Sequence, residues 1–140
     1  MIEILTKRLF NAPRECLFEL FENPKHLAQF WGPNGFTNTF ETFEFKPDGN
    51  WKYMMHGPDG KNYPNQVKFL EIQRPEFIIY QHFKPNYKMT MRFEDRCGST
   101  ELIWFMEFES NPENEKLKNF LTEANQQNFD RLEAYLNTQR

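Results

Sequence analysis

Hydrophobic positions along the chain follow two different spacings, and their order predicts the fold. Residues 2–10 alternate in side-chain character and are rich in β-branched and long apolar residues, which is typical of a strand. Two short apolar stripes with helical spacing follow, and each begins near a proline, Pro13 or Pro24. We therefore expect one strand followed by two short helices, the second ending at residues 32–35.

Residues 36–108 have the spacing of strands separated by short turns. The turn sequences are residues 47–49 (PDG), 57–60 (GPDG), 74–75 (RP), 84–86 (KPN) and 97–99 (CGS). Connections this short predict an antiparallel meander. Phe36 and Phe40 have one parity whereas Phe43 and Phe45 have the other, so this strand is either buried on both faces or interrupted by a bulge.

A long amphipathic helix is predicted after Asn111 and Pro112, over about 25 residues. Its apolar positions are Leu117, Phe120, Leu121, Ala124, Phe129, Leu132 and Leu136. No other predicted element can cover the apolar face of the sheet. The sequence thus predicts an α+β fold, a single domain over residues 1–140, in which a six- to seven-stranded antiparallel sheet holds a long C-terminal helix.

Charge and composition exclude several classes of function. The net charge is −3, whereas nucleic acids and anionic membranes select clustered Lys and Arg. No apolar run approaches the roughly 20 residues of a membrane span, and the N-terminus lacks the pattern of a signal peptide. Cys16 and Cys97 form no CxxC pair, so we expect free thiols in a cytoplasmic protein, as a monomer or a homodimer.

The histidines give little support for chemistry. His26, His56 and His82 form no HxH, HxxxH or HExxH pattern, so we expect neither a metal nor another cofactor. No nucleophile motif occurs either, and we expect no enzymatic activity. Tyr80 and His82 would share a face of the sheet, either as a polar pair in a pocket or, in our preferred interpretation, pointing outward to solvent.

One face of the predicted sheet carries an unusual set of methionine and aromatic side chains. These are Trp51, Tyr53, Met55, Met89, Met91, Phe93, Trp104 and Met106, with Phe129 of the long helix above them. Apolar walls with a few polar groups are typical of small-molecule sites, and methionine adapts to irregular pockets. The alternative is a solid aromatic core, because the chain contains 16 Phe, which are bulky enough to fill such a cavity.

Seven short motifs occur in a characteristic order. They are residues 12–18 (APRECLF), 24–33 (PKHLAQFWGP), 47–51 (PDGNW), 57–63 (GPDGKNY), 71–78 (EIQRPEFI), 98–102 (GSTEL) and 128–136 (NFDRLEAYL). Together they resemble the bacterial relatives of the C-terminal domain of the activator of heat-shock-protein-90 ATPase, in the START-like (SRPBCC) superfamily. The resemblance implies the helix-grip fold of the birch-pollen allergen, with a curved sheet and a cavity beneath the long helix.

The chain departs from this family at Asn128, where the family has a glycine that leaves room for the pocket. Asn125 lies one turn earlier on nearly the same helix face. The two amides either narrow the pocket and place hydrogen-bonding groups in it, or point sideways into solvent.

Three functions remain open at this stage. The leading hypothesis is the binding of a small hydrophobic or amphipathic ligand between sheet and helix. The second is a protein interaction, with a chaperone or with a second copy, through an exposed apolar corner at Trp31. The third is a cyclase or dehydratase that would need Tyr80, His82 or Asn128 to converge in the pocket.

Overall fold

The computed structural model describes residues 1–139, which contain seven strands and three helices. The strands are β1 (Ile2–Phe10), β2 (Thr37–Phe43), β3 (Asn50–His56), β4 (Asn62–Gln73), β5 (Phe77–Phe83), β6 (Tyr87–Arg96) and β7 (Ser99–Phe108). The helices are α1 (Arg14–Glu22), α2 (Pro24–Phe30) and α3 (Pro112–Thr138). The order of elements is the one that the hydrophobic spacing predicts.

All seven strands form one antiparallel sheet in the order β1-β7-β6-β5-β4-β3-β2. Strands β2 to β7 are consecutive neighbours, so the predicted meander is confirmed. Strand β1 pairs with β7, where Ile2 lies opposite Phe108. The register of β2 shifts between Phe40 and Thr42, so the change of parity among the phenylalanines arises at a bulge.

Helix α3 covers the inner face of the sheet, as the helix-grip prediction requires. Its buried residues are Asn125, Asn128, Phe129, Leu132 and Leu136. The Phe129 ring packs edge-on against Trp104 of β7, with centroids 4.6 Å apart. We call the space enclosed by the inner face of the sheet, α1, α2 and α3 the interior.

One residue of the predicted apolar stripe of α3 is placed wrongly by the sequence pattern. Phe120 is 60% exposed, whereas Phe129 is fully buried. The two positions are nine residues apart, or two and a half turns at 3.6 residues per turn, so they lie on opposite sides of the helix. The buried stripe instead includes the two asparagines.

Two of the predicted helix starts are capped by side chains. The Asn23 Oδ1 atom accepts a hydrogen bond from the Lys25 backbone N–H at 3.0 Å, at the start of α2. The Asn111 Oδ1 atom accepts one from the Asn114 N–H at 2.8 Å, at the start of α3. In both cases a proline follows the cap, where its missing N–H costs no helical bond.

Candidate functional site

The predicted site residues almost all point into the interior. The buried ones are Trp51, Tyr53, Tyr80, His82, Met89, Met91, Phe93, Trp104, Met106, Asn125, Asn128 and Phe129. Met55 is half-buried and lies beside Gly32, where a Cβ atom would collide with the Met55 Cε atom. The set therefore shares one face, as the alternation of residues predicts.

Aromatic side chains fill most of this interior. The ring of Trp31 lies between those of Trp51 and Trp104, with centroid distances of 5.2 and 5.5 Å. A cavity of about 10 Å³ remains, which is space for one water molecule at most. In this conformation the interior formed by residues 1–139 is filled mainly by aromatic side chains, which favours the alternative of a solid aromatic core over the expected ligand-sized cavity.

Two polar atoms in this filled interior, the indole nitrogens of Trp51 and Trp104, have no hydrogen-bond partner among residues 1–139. The Tyr80 hydroxyl interacts with the Tyr87 hydroxyl but does not form a hydrogen bond of regular geometry. Trp51 and Tyr80 also border the small cavity. Buried indole and phenol groups normally find a partner, and an unpaired buried donor costs about 1–3 kcal/mol.

The interior keeps its phenols in the neutral, proton-donating form. Burial raises the pKa of Tyr53 and Tyr80 well above the ordinary value of 10.0. It also raises the pKa of Tyr87, whose hydroxyl is near enough to Tyr80 to influence it. The Tyr53 hydroxyl accepts a hydrogen bond from the Trp31 indole N–H at 3.1 Å.

His82 is buried at one end of the interior, so our preferred interpretation of an outward histidine is wrong. Its exposed fraction is 3%. The Nδ1–H donates to the Pro85 carbonyl at 2.8 Å, and Nε2 contacts the side-chain amide of Asn65 at 2.8 Å. Burial lowers the pKa of His82, against a smaller opposing effect of the Pro85 carbonyl. The ring of Tyr87 stacks on the imidazole of His82, with ring centroids 4.5 Å apart.

The two asparagines of α3 also point inward, but they bind protein groups. The Asn128 Nδ2 donates to the Phe30 carbonyl at 2.8 Å, and its Oδ1 accepts from the Gly32 N–H at 3.1 Å. The Asn125 Nδ2 donates to the Met106 sulfur at 3.2 Å and lies 3.5 Å from the Thr6 hydroxyl. The solvated alternative is therefore wrong.

Arg131, which sequence reasoning missed, reinforces the contact made by Asn128. Its Nη1 donates to the carbonyls of Trp31, Gly32 and Pro33 at 2.9–3.0 Å. Its Nη2 donates to the carbonyl of Phe36 at 2.9 Å and contacts that of Gln29 at 3.3 Å. Arg131 lies three residues after Asn128 on the same helix face, and that spacing is the sequence signal that could have revealed it.

Trp31 is also placed differently from the sequence prediction. It is 5% exposed and belongs to the core, so the exposed apolar corner is absent. The residue follows the last residue of α2, and its backbone N–H still bonds to the Leu27 carbonyl. The protein-interaction hypothesis loses the surface on which it depended.

A second opening lies outside the interior, between α1, α2 and the end of α3. It is an open cleft of about 400 Å³. Its lining residues are Asn11, Ala12, Pro13, Cys16, Glu19, Leu20, His26, Leu136 and Gln139. At one side of the cleft, the His26 Nδ1 lies 2.6 Å from the Tyr135 hydroxyl.

The three residues named by the cyclase hypothesis, Tyr80, His82 and Asn128, are all buried. Both ring nitrogens of His82 contact β4 and the turn after β5, and Asn128 is bound to the end of α2. In this conformation the polar groups of His82 and Asn128 therefore serve protein contacts.

Within the described part of the chain, no helix is long and apolar enough to cross a membrane. The same residues contain no group of three His, Cys, Asp or Glu side chains that could hold a metal ion. Cys16 and Cys97 are both exposed free thiols.

Comparison with known proteins assigns the family. Residues 11–137 match the model of the family described as Activator of Hsp90 ATPase homolog 1-like protein. The chain belongs to this family. No curated protein matches it significantly in sequence.

Solved structures of bacterial proteins share the fold of this Activator of Hsp90 ATPase homolog 1-like chain. A protein of Arthrobacter aurescens is 23% identical with a TM-score of 0.90, over 97% of this chain and 86% of the other. A Mycobacterium smegmatis protein is 19% identical with a TM-score of 0.89, over 99% and 92%. The AHSA1 protein of Silicibacter pomeroyi is 18% identical with a TM-score of 0.86, over 99% and 100%. At these identities the likeness establishes the fold alone.

Proposed function

We propose that this family member binds a small, neutral, largely apolar ligand that carries a hydrogen-bond acceptor. The ligand would lie in the interior, between the sheet and α3. The observation that carries the proposal is the pair of unpartnered indole nitrogens of Trp51 and Trp104 within a largely apolar enclosure. The thirteen residues predicted from sequence remain the candidate ligand contacts.

The wall of the interior supports a neutral ligand. Among the described residues, the buried polar side chains are Thr6, His82, Thr100, Asn125 and Asn128, and none is an acid, a lysine or an arginine. A charged ligand would lose its hydration without gaining a counter-charge, which is strongly unfavourable. A neutral ligand avoids that penalty.

The unpartnered atoms support an acceptor on the ligand. An indole N–H can only donate a hydrogen bond, and Trp51 and Trp104 each offer one. A carbonyl or ether oxygen would complete such a bond, whereas a hydrocarbon of the same shape would leave the donor unsatisfied. The difference should appear as selectivity between two ligands of nearly equal size.

The test compares indanone with indane, which differ by one carbonyl oxygen and are close to an indole ring in size. We expect indanone to bind about fivefold more tightly to the wild-type protein, as one net hydrogen bond implies. Tryptophan fluorescence and a thermal-shift titration both report binding. Protein purified from its native host and examined by native mass spectrometry should also carry a bound compound.

The variant Trp51→Phe should reduce the preference for indanone, because it removes the donor and keeps an aromatic ring. The matched control is Tyr63→Phe, which removes an exposed hydroxyl bonded to Asp59 outside the interior. Equal binding of indanone and indane, or no binding of either, would remove the proposal.

A second candidate function is stimulation of a chaperone ATPase, which the family description suggests. Leu5 and Leu9 on the outer face of β1 are 59% and 57% exposed, and Leu5 lies opposite Phe105. Exposed apolar patches commonly mark protein contacts. The double substitution Leu5→Ser and Leu9→Ser should then reduce stimulation of the host chaperone's ATPase, and no stimulation by the wild type would exclude this function.

A further inference from the structure

We propose that Trp31 is a removable plug, whose ring occupies the place of the ligand in the closed protein. Residues 31–36, here called the plug segment, carry this ring out of the interior when a ligand enters. That the space occupied by Trp31 is a ligand site rests on the proposed function. Opening of the plug segment, however, can be measured without any ligand.

The position of the Trp31 ring makes it the movable member of the aromatic cluster. It lies between Trp51 and Trp104 and borders the 10 Å³ cavity together with Tyr80. Trp51, Tyr80 and Trp104 belong to strands β3, β5 and β7, so moving them would disrupt the sheet. Trp31 comes from a connection between α2 and β2, so its departure leaves every strand intact.

Withdrawal of the Trp31 ring would leave both space and polar groups for a ligand. Withdrawal of an indole ring would enlarge the small cavity by the volume of that ring, which matches a bicyclic ligand in size. The Trp31 N–H would also release the Tyr53 hydroxyl, now bonded at 3.1 Å. The opened interior would then offer the hydroxyl of Tyr53 beside the unpartnered indole N–H of Trp51.

Apart from the buried Trp31 ring, the contacts of the plug segment with α3 are polar. Arg131 binds the carbonyls of four of its residues, Asn128 binds the Gly32 N–H, and Gln127 accepts from the Asn34 N–H at 3.0 Å. Among residues 1–139, no carboxylate lies within ion-pair distance of Arg131. Water can replace hydrogen bonds of this kind at little net cost.

The backbone of the plug segment contains two flexible positions. Gly32 and Gly35 have φ angles of +95° and +85°, a region that other residues rarely adopt, and glycine reaches many other conformations from there. Trp31 itself lies before Gly32, and its N–H is bonded to the Leu27 carbonyl at 3.1 Å. Opening therefore breaks this last hydrogen bond of α2, while Gly32 and Gly35 allow the rest of the segment to follow.

Amide hydrogen exchange on the ligand-free protein tests the opening. The substitution Arg131→Met should accelerate exchange in residues 31–36 by about tenfold and leave the strands unchanged. The matched control is Arg8→Met, which removes an arginine that contacts Asp130 of α3 at 2.8 Å but does not touch the plug segment. Unchanged exchange in the segment, or acceleration throughout the whole protein, would overturn the proposal.

A second experiment tests whether a ligand can bind in the space that the Trp31 ring fills in the closed protein. The variant Trp31→Ala should bind indole and gain thermal stability from it, whereas Trp31→Phe, in which a ring still fills the space, should bind indole at least tenfold more weakly. Absence of this difference in folded variants would contradict the plug. If Trp31→Ala does not fold, the exchange measurement on Arg131→Met decides.

The two proposals fail in distinguishable ways. Indanone binding without faster exchange in residues 31–36 would leave the proposed function intact and refute the plug. Opening of the segment without any indanone binding would support the plug and refute the proposed ligand class.

Discussion

Helix α3 is attached to the rest of the molecule in two different ways. Phe129 and Leu132 are buried against the apolar interior, where Phe129 packs on Trp104 and on Phe10. On the neighbouring face of the same helix, Asn128 binds the Phe30 carbonyl and the Gly32 N–H, and Arg131 binds carbonyls of the plug segment. The same helix therefore forms a dry contact with the sheet and a polar contact with a loop.

The difference indicates which contact is permanent and which is exchangeable. Apolar surface that becomes exposed gains no compensating interaction with water, so separating α3 from the sheet would lose much of the free energy of folding. Hydrogen bonds to carbonyls near the surface are replaced by bonds to water when they open. Opening of the plug segment also exposes the Trp31 ring, so we expect it to cost more than its hydrogen bonds alone but less than separation of α3 from the sheet.

The largest expected effect is the loss of the apolar attachment. Phe129→Ala removes a fully buried ring, and we expect the free energy of unfolding to fall by about 3–5 kcal/mol. Urea unfolding followed by circular dichroism measures it. Phe120→Ala on the same helix is the control, because an exposed position should change stability by less than about 0.5 kcal/mol. Similar losses for both variants would contradict the assignment of the buried face.

Loss of the polar attachment should have a smaller global effect. Arg131→Met removes a half-buried guanidinium that binds backbone carbonyls, and we expect a loss of about 1–2 kcal/mol in the free energy of unfolding. Burial lowers the pKa of Arg131, but an arginine remains protonated at physiological pH. Equilibrium unfolding in urea measures the change, and a loss as large as that of Phe129→Ala would show that both attachments are structural.

Tyr53 and Tyr80 differ in how well the buried hydroxyl group is hydrogen-bonded. Tyr53→Phe removes the acceptor of the Trp31 N–H and should destabilise the protein by about 1 kcal/mol. Tyr80→Phe removes a hydroxyl whose only polar neighbour is the Tyr87 hydroxyl, without regular hydrogen-bond geometry, and should cost less than Tyr53→Phe. Thermal and urea unfolding of the two variants, measured in parallel, provide the comparison. A reversed order would mean that the interaction of Tyr80 with Tyr87 is the stronger one in solution.

The smallest effect concerns His82, which lies away from both attachments. Its folded pKa is lowered by burial, so the unfolded chain, with a value near 6.5, binds the proton more readily. Stability should therefore be fully present above pH 6.5 and decrease as the pH falls below it. His82→Gln should flatten this dependence, whereas His56→Gln, at a partly exposed position bonded to Thr39, should keep it. Urea midpoints between pH 5 and 8 measure the slope.

The architecture was predictable because its signals are local. The capping asparagines with their following prolines, and the alternation of strand residues, depend only on neighbours in sequence. The inward orientation of Trp51 and Trp104 follows from the same alternation. Asn125 lies four residues before Phe129, close to one turn, which favours the buried face, but the sequence left its orientation open because an amide can also point into solvent.

The filling of the interior was not predictable, because it depends on distant residues. Trp31 is held inside by Arg131, which comes 100 residues later in the chain. The spacing within α2 contains no trace of that contact. Likewise, the burial of His82 depends on Asn65 and on the backbone of Pro85, which only the folded sheet brings to it.

Gly32 has a practical consequence for redesigning this protein as a binder. A Cβ atom at Gly32 would displace the flexible end of the Met55 side chain, and the φ of +95° disfavours every other residue there. A library that varies position 32 would therefore mostly yield destabilised chains. Combined variation of Trp31 and Met55 with Gly32 kept constant changes the volume and shape of the interior, so selection for new specificity should concentrate on that pair.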